Sequence, residues 1–378
     1  MAQEPYRICT KTVMDTIGDP DIKFNEQGVC LYHDQFIEKL YARVPPKEIA
    51  ERKLIEIVNE IKKAGKNKQY DCIIGVSGGV DSTYTAWLVK KLGLRPLAVH
   101  LDNGWNSELA VKNIENILNV LNIDLYTEVL DWEMFRDLQL SFLKASTPDG
   151  EIPTDHAILA ILYSIAAKHG IKYIISGMNF RNEGFLPPSW ARGYLDWKYI
   201  RSVQKKFGKR SLKTFPHLSV PSFLYYNIIK GIRSISFLNY IEFNKKEAIA
   251  VIEKELGWKN YGGKHYESIY TRFYQAYILP NKFNIDKRKA HLTCLMLSTG
   301  EITREQAIEI LKQPTADSKM LEEDKRYVIK KLGISEQEFE EIMRLPVKTI
   351  LDYPNNHYLE MRFRTALNKL RKLGIFPN

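Results

Sequence analysis

Cysteine is scarce in this chain: Cys9, Cys30, Cys72 and Cys294 are its four thiols in 378 residues. That is too few for a disulfide scaffold. Long hydrophobic runs are missing too. None reaches the roughly 18–20 residues needed to cross a bilayer, and no secretory h-region stands near the start. A cytoplasmic protein without membrane insertion is therefore expected. Internal repeats and low-complexity tracts are absent, which sets aside repeat arrays and disordered linkers. Two familiar phosphate signatures are lacking as well. Without GxxxxGK(S/T) the chain is not a Walker-type NTPase, and without GxGxxG a dinucleotide-binding Rossmann site is not expected.

What is present reads as a soluble globular protein, with 44% apolar and 26% charged residues, long enough for two or three domains. The formal net charge of +10 favours an anionic partner, whether nucleic acid, phosphorylated substrate or acidic surface. Three regions follow from the patterning. Residues 1–46 carry scattered Asp, Gly and Pro and close with Pro45-Pro46. Residues 47–211 open with a helix whose stripe is Ile49, Leu54, Ile55, Val58 and Ile61. They then alternate strands at Cys72–Val76, Pro96–Leu101, Leu125–Val129 and Tyr173–Ser176 with amphipathic helices. Such alternation predicts an α/β fold with a doubly wound parallel sheet. Residues 212–378 read as mainly helical, with capping-box signatures at Thr303-x-x-Gln306 and Ser335-x-x-Glu338.

The stretch YDCIIGVSGGVDSTYTAWLV (Tyr70–Val89) holds the sharpest signal. A buried-strand pattern stops in Ser77-Gly78-Gly79-Val80-Asp81-Ser82 and resumes as a helix. Two glycines leave backbone N–H groups uncovered, hydroxyls flank the turn, and the positive end of a helix dipole points at it. This is a phosphate or pyrophosphate site. In an open parallel sheet ligands lie beyond the carboxyl ends of the strands, and three more polar clusters fall there. They are His100-Leu-Asp102, Ser176-Gly177-Met-Asn179 continuing to Glu183, and Thr154-Asp155-His156. Each alone reads equally well as a solvated loop.

The hexapeptide resembles the pyrophosphatase loop, SGGxDS, of the PP-loop adenylating enzymes related to GMP synthetase, argininosuccinate synthetase and the tRNA thiolation enzymes. The resemblance implies a HUP-like fold and ATP with Mg²⁺ as cofactors. In that chemistry a substrate oxygen attacks the α-phosphorus, pyrophosphate leaves, and a nitrogen or sulfur nucleophile then displaces AMP. Ser77, Gly78, Gly79, Val80 and Ser82 would cradle the pyrophosphate and Asp81 would help hold Mg²⁺. His100, Asp102, Gly177 and Asn179 would line the nucleotide site.

Further segments narrow the likeness: Met14–Cys30, PTDHAI (Pro153–Ile158), ISGMNFRNEG (Ile175–Gly184), YGGKHYESIYTRFYQAYILP (Tyr261–Pro280) and DKRKAHL (Asp286–Leu292). This set resembles the N-acetyl sugar amidotransferases of surface-polysaccharide biosynthesis, the PseA/WbpG-like family, from about Cys9 to about Ile310. The resemblance implies that the acetamido group of a nucleotide-linked N-acetyl sugar becomes acetamidino, in lipopolysaccharide, O-antigen or related glycan biosynthesis. It also implies a partner glutaminase with a cyclase-like companion supplying ammonia, and the chain has no evident glutaminase module of its own. Asp155, His156, Lys264, His265, Arg272, Lys287, Arg288 and His291 would bind the sugar nucleotide, and Glu183 would orient the amide or the ammonia. Any one of these cations could equally be a solvated helix-face charge.

The family pattern near the start is two CxxC pairs forming a zinc site. Here the pairs read Cys9-Thr-Lys-Thr12 and Cys30-Leu-Tyr-His33. Cys9, Cys30 and His33 remain as zinc ligands, with a knuckle held by packing alone as the alternative. Two other functions stay open: a PP-loop tRNA-modifying enzyme, although no RNA-binding module is recognisable, and a catalytically inactive scaffold of an amidating assembly.

Overall fold

Ile73 and Ile74 face opposite sides of one strand, and that division organises the protein. In the computed structural model, which describes residues 5–263, 266–358 and 362, this strand is β1 (Cys72–Gly75). Its companions are β2 (Pro96–Asp102), β3 (Leu125–Val129), β4 (Tyr173–Ser176) and β5 (Arg233–Ser236). The sheet order is β3-β2-β1-β4-β5, and every neighbouring pair is parallel. Before β1 come α1 (Leu31–Arg43) and α2 (Lys47–Ala64); then follow α3 (Val80–Lys91), α4 (Glu108–Leu121), α5 (Trp132–Ala145) and α6 (Ile152–Lys168). Ile74 packs with Val58 and Ile61 of α2, Val89 of α3 and Ile114 of α4. Ile73 packs with Leu97, Val99 and Ile174 of the sheet and Ile161 of α6. Helices thus cover both faces, and the doubly wound α/β fold is as expected.

The four strands read from the sequence stand where expected, and β5 is an addition. Arg233-Ser-Ile-Ser carries one apolar side chain and pairs with β4 at the sheet's edge, so it shows little of the hydrophobic run that marks a strand buried on both faces. The stripe of α2 also differs from the expected one. Ala50, Leu54, Val58 and Ile61 are buried, whereas Ile49 and Ile55 are 38% and 61% exposed. At 100° per residue, 50, 54, 58 and 61 share a face that 49 and 55 flank.

Beyond β4 come α7 (Phe180–Glu183), α8 (Trp197–Phe207), α9 (Val220–Leu224) and, after β5, α10 (Lys245–Leu256). The rest of the described chain is helical: α11 (Ile269–Phe273), α12 (Leu279–Phe283), α13 (Arg288–Cys294), α14 (Arg304–Lys312), α15 (Ser318–Leu332) and α16 (Glu336–Arg344). A π-helical turn, Tyr274–Ile278, joins α11 to α12. The Thr303–Gln306 capping box forms in full at α14. At α16 Ser335 accepts from the Glu338 N–H, but the Glu338 carboxylate pairs with Lys144 (2.9 Å).

The N-terminal segment is pinned to this helical part. Arg304 donates to the carbonyls of Cys9 and Thr12, and Lys289 pairs with Asp15 (2.5 Å). Cys9 and Cys30 are fully buried, and the Cys30 and Lys11 N–H groups donate to Cys9 Sγ. The Cys30 thiol bonding to Cys9 lowers the Cys9 pKa and raises its own. His33 instead turns its Nδ1 to Asp34, at 2.7 Å. Among the described residues no group of three His, Cys, Asp or Glu side chains is placed to hold a metal ion. The expected zinc site of Cys9, Cys30 and His33 is therefore corrected to a knuckle held by packing and N–H···S bonds.

Candidate active site

The strand order reverses between β1 and β4, and the crevice at their carboxyl ends is where such sheets bind ligands. Ser77–Ser82 leaves β1 and opens α3, with Gly79 as its N-cap. Gly78 takes φ +80°, a left-handed conformation that favours glycine. Ser77 Oγ and Ser82 Oγ lie 3.2 Å apart, and the Gly79 N–H donates to Ser77 Oγ (3.3 Å). The Ser82 hydroxyl donates to the Gly79 carbonyl (3.1 Å). Hydroxyls, an amide and a helix N-terminus thus meet in one turn, a ready anion cradle.

A cavity of about 400 Å³ opens over it, lined by Ser77, Gly79, Val80, Asp81 and Ser82 together with Gly177 and Glu183. Sequence reasoning missed several other lining residues. Lys245 comes from α10, Trp258 and Tyr261 from the segment after it, and Glu267 from just before α11. Glu267 Oε1 would stand 3.3 Å from a Cβ placed on Gly79. Asp81, Glu183 and Glu267 offer hard carboxylate oxygens to one space. Mg²⁺ is commonly held by one or two carboxylates plus substrate phosphates, so the donor set fits a nucleotide-borne Mg²⁺, with Asp81 and Glu267 beside the loop.

A second cavity of about 410 Å³ adjoins the first, and both are lined by Glu183 and Gly263. It brings together Arg272, Lys287, Arg288 and His291, as expected, with Tyr266 and Gln275. These cations come with partners. Arg272 makes a two-point pair with Asp324 (2.7 and 2.5 Å), and its guanidinium lies 5.0 Å from the Tyr266 ring centroid. Lys287 pairs with Glu151 (3.1 Å). Burial works against the Lys287 ammonium, but Glu151 and Asp149 outweigh it and raise its pKa. Arg288 is a brace. Its Nε and Nη2 bond Asp286 and its Nη1 bonds the Gln313 and Pro314 carbonyls, which leaves little of the guanidinium fork for a diphosphate.

Residues 267–368 match the model of a family described as LPS biosynthesis protein WbpG-like, C-terminal domain. This stretch is similar to a WbpG-like C-terminal domain. The WbpG-like domain supplies Arg272, Gln275, Lys287, Arg288 and His291 to the second cavity. The chain is also 30% identical over 165 residues, 42% of its length, to a GMP synthase (glutamine-hydrolyzing) of Pyrobaculum aerophilum, and spans 30% of that relative. Among solved structures, NMN synthetase from Francisella tularensis aligns with 80% of this chain and 98% of its own, at 16% identity and a TM-score of 0.33. A predicted subunit of tRNA methyltransferase from Methanocaldococcus jannaschii aligns with 48% and 74%, at 18% identity and a TM-score of 0.28. Scores this low carry no argument about fold or function.

Several sequence-predicted residues line neither the loop cavity nor that of the WbpG-like domain. His156 is fully buried, with Nδ1 on the Tyr194 carbonyl (2.6 Å) and Nε2 accepting from the Leu218 N–H (3.0 Å). Burial pushes its pKa down to about 4, so it is a neutral packing residue rather than a substrate ligand. Asp155 stays open to solvent, yet the surrounding burial, with Asp149 and Glu151, raises its pKa. His100 spends both ring nitrogens on Val76 O (2.8 Å) and Asn106 Nδ2 (3.1 Å). Asp102 accepts from the Gly104 N–H, and Asn179 caps α7 through the Arg181 N–H. These three shape loops at the strand ends and do not face the cavity. Lys264 and His265 lie outside the described residues.

Proposed function

We propose that this chain is an ATP-dependent, AMP- and pyrophosphate-forming amidotransferase acting on the acetamido group of a nucleotide-linked N-acetyl sugar. The observation that carries the reading is the junction of the two cavities. An anion cradle of SGGxDS type opens directly into the cavity of a WbpG-like domain, and Glu183 stands on both. A nucleotide over the loop and a sugar nucleotide beside Arg272 and Lys287 would place an amide carbonyl next to the α-phosphorus.

The chemistry then divides in two. The amide oxygen bonds to the α-phosphorus as the α–β bridging oxygen leaves with pyrophosphate, received by the Gly79 amide, the Ser77 and Ser82 hydroxyls and the dipole of α3. Ammonia adds to the activated carbon, the C–O bond to AMP breaks, and an acetamidino group remains once the added nitrogen has lost its proton. Glu183 orients the ammonia or the amide. Asp81 and Glu267, which line the same cavity, would hold Mg²⁺, which would neutralise charge on the phosphates. Preorganised donors of this kind carry most of such catalysis. The ammonia comes from a partner glutaminase in this reading, and the product serves lipopolysaccharide or related glycan synthesis.

The test is pyrophosphate release from ATP in the presence of Mg²⁺, ammonium and UDP- or CMP-linked N-acetyl sugars. Asp81→Asn should lower the rate on the order of a hundredfold, as loss of one preorganised electrostatic group does. Equal rates in the two proteins would remove the loop from the reaction.

A further inference from the structure

The loop contains two consecutive glycines, and such a pair leaves the peptide between them free to rotate. The direction of that peptide matters. In a planar trans peptide the carbonyl and the following N–H point opposite ways. Rotation of the Gly78–Gly79 unit would therefore exchange an N–H for a carbonyl oxygen at the anion cradle, and an attractive dipole for a repulsive one.

Two side chains from far along the chain hold it. Trp258 Nε1 donates to the Gly78 carbonyl at 2.8 Å, and the Tyr261 hydroxyl donates to the same oxygen. Trp258 is 3% exposed, and burial raises the Tyr261 pKa to about 12, so the phenol keeps its proton at neutral pH. The backbone between them is fixed in turn. Asn113 of α4, fully buried, donates Nδ2–H to the Lys259 carbonyl (2.8 Å) and accepts from the Lys259 N–H (2.9 Å). Gly78 is itself tightly enclosed, since a Cβ there would meet both the Ala110 carbonyl and the Tyr261 hydroxyl at 2.8 Å. With its carbonyl gripped, the peptide presents the Gly79 N–H on the opposite side, toward Ser77 Oγ and the cavity.

We infer that Trp258 and Tyr261, held by Asn113, are positioning residues that lock the Gly78–Gly79 peptide with its N–H toward the pyrophosphate. The inference rests on the ATP-site reading above and adds a specific cause for the loop's affinity. Neither side chain needs to touch the phosphates. The same segment carries Gly263, shared by both cavities, so the clamp links the anion cradle to the wall of the WbpG-like domain's cavity.

The test is isothermal titration of the full chain with two separate probes, Mg²⁺-pyrophosphate and AMP. Tyr261→Phe removes one donor with its ring retained, and should weaken pyrophosphate about fivefold; with Trp258→Phe added, the loss should reach about thirtyfold, since a typical hydrogen bond contributes about 1 kcal/mol. AMP affinity should stay within twofold of wild type, because no part of AMP occupies the pyrophosphate cradle. Should the double variant fail to fold, Tyr261→Phe alone carries the test through the same ratio of the two affinities. Pyrophosphate affinity unchanged in these variants, or an equal loss of pyrophosphate and AMP, would overturn the inference while leaving the ATP site standing. Binding of neither probe by the wild-type chain would overturn the ATP-site reading, and the inference with it.

Discussion

Gly177 faces the backbone of Ser82 so closely that a Cβ on it would come within 3.1 Å of Ser82 Cα and 3.2 Å of its nitrogen. The end of β4 and the loop after β1 are thus in near contact at the point where the sheet order reverses. No side chain end can yield there, because the opposing atoms are main chain. Gly177→Ala should push the Ser82 turn outward by a few tenths of an ångström. Pyrophosphate release from ATP should fall on the order of tenfold, as small misplacements of reacting groups cost, with the thermal melting curve little changed. Wild-type turnover in this variant would mean that the loop does not need its present distance from β4.

A second prediction concerns pH. Asp149 is 9% exposed. Burial pushes its pKa up to about 6, with Lys287 opposing the rise and Glu151 adding to it. A carboxyl raised in the folded state binds protons that the unfolded state has already lost, so its effect on stability declines as pH climbs. The decline begins near the ordinary value of 3.8 and is complete above about 6. Asp149→Asn keeps an acceptor for the Glu151 N–H and removes the buried charge. The variant should therefore gain stability relative to wild type between pH 4 and pH 6, by up to about 3 kcal/mol, and the difference should vanish at lower pH. Denaturant unfolding across that range measures it, and a pH-independent difference would contradict the cause given.

Local signals were legible in the sequence and long-range ones were not. The Ser77–Ser82 loop announces itself because strand, glycines and helix are contiguous, and the Thr303–Gln306 box because its two partners are three residues apart. Thr303→Ala should accordingly cost α14 about 1 kcal/mol, measurable as a lowered denaturation midpoint; no change would mean that α14 frays without effect on the core. By contrast, nothing in the residues around Arg272 and Lys287 foretells Asp324 and Glu151, 52 and 136 positions away. The cations were visible and their neutralising partners were not. Trp258 and Tyr261 were missed for the same reason, since their grip on Gly78 spans 180 and 183 residues. Polarity alone also misplaced His156, whose two ring nitrogens are consumed by distant backbone groups.

The most direct test of the proposed reaction is mass spectrometry of the sugar after incubation with ATP, Mg²⁺, ammonium chloride and a panel of UDP- and CMP-linked N-acetyl sugars. One sugar should return lighter by the difference between O and NH, with AMP and pyrophosphate formed in equal amount. Every sugar returning unchanged, while tRNA provokes pyrophosphate release, would contradict the amidotransferase and leave only the ATP loop.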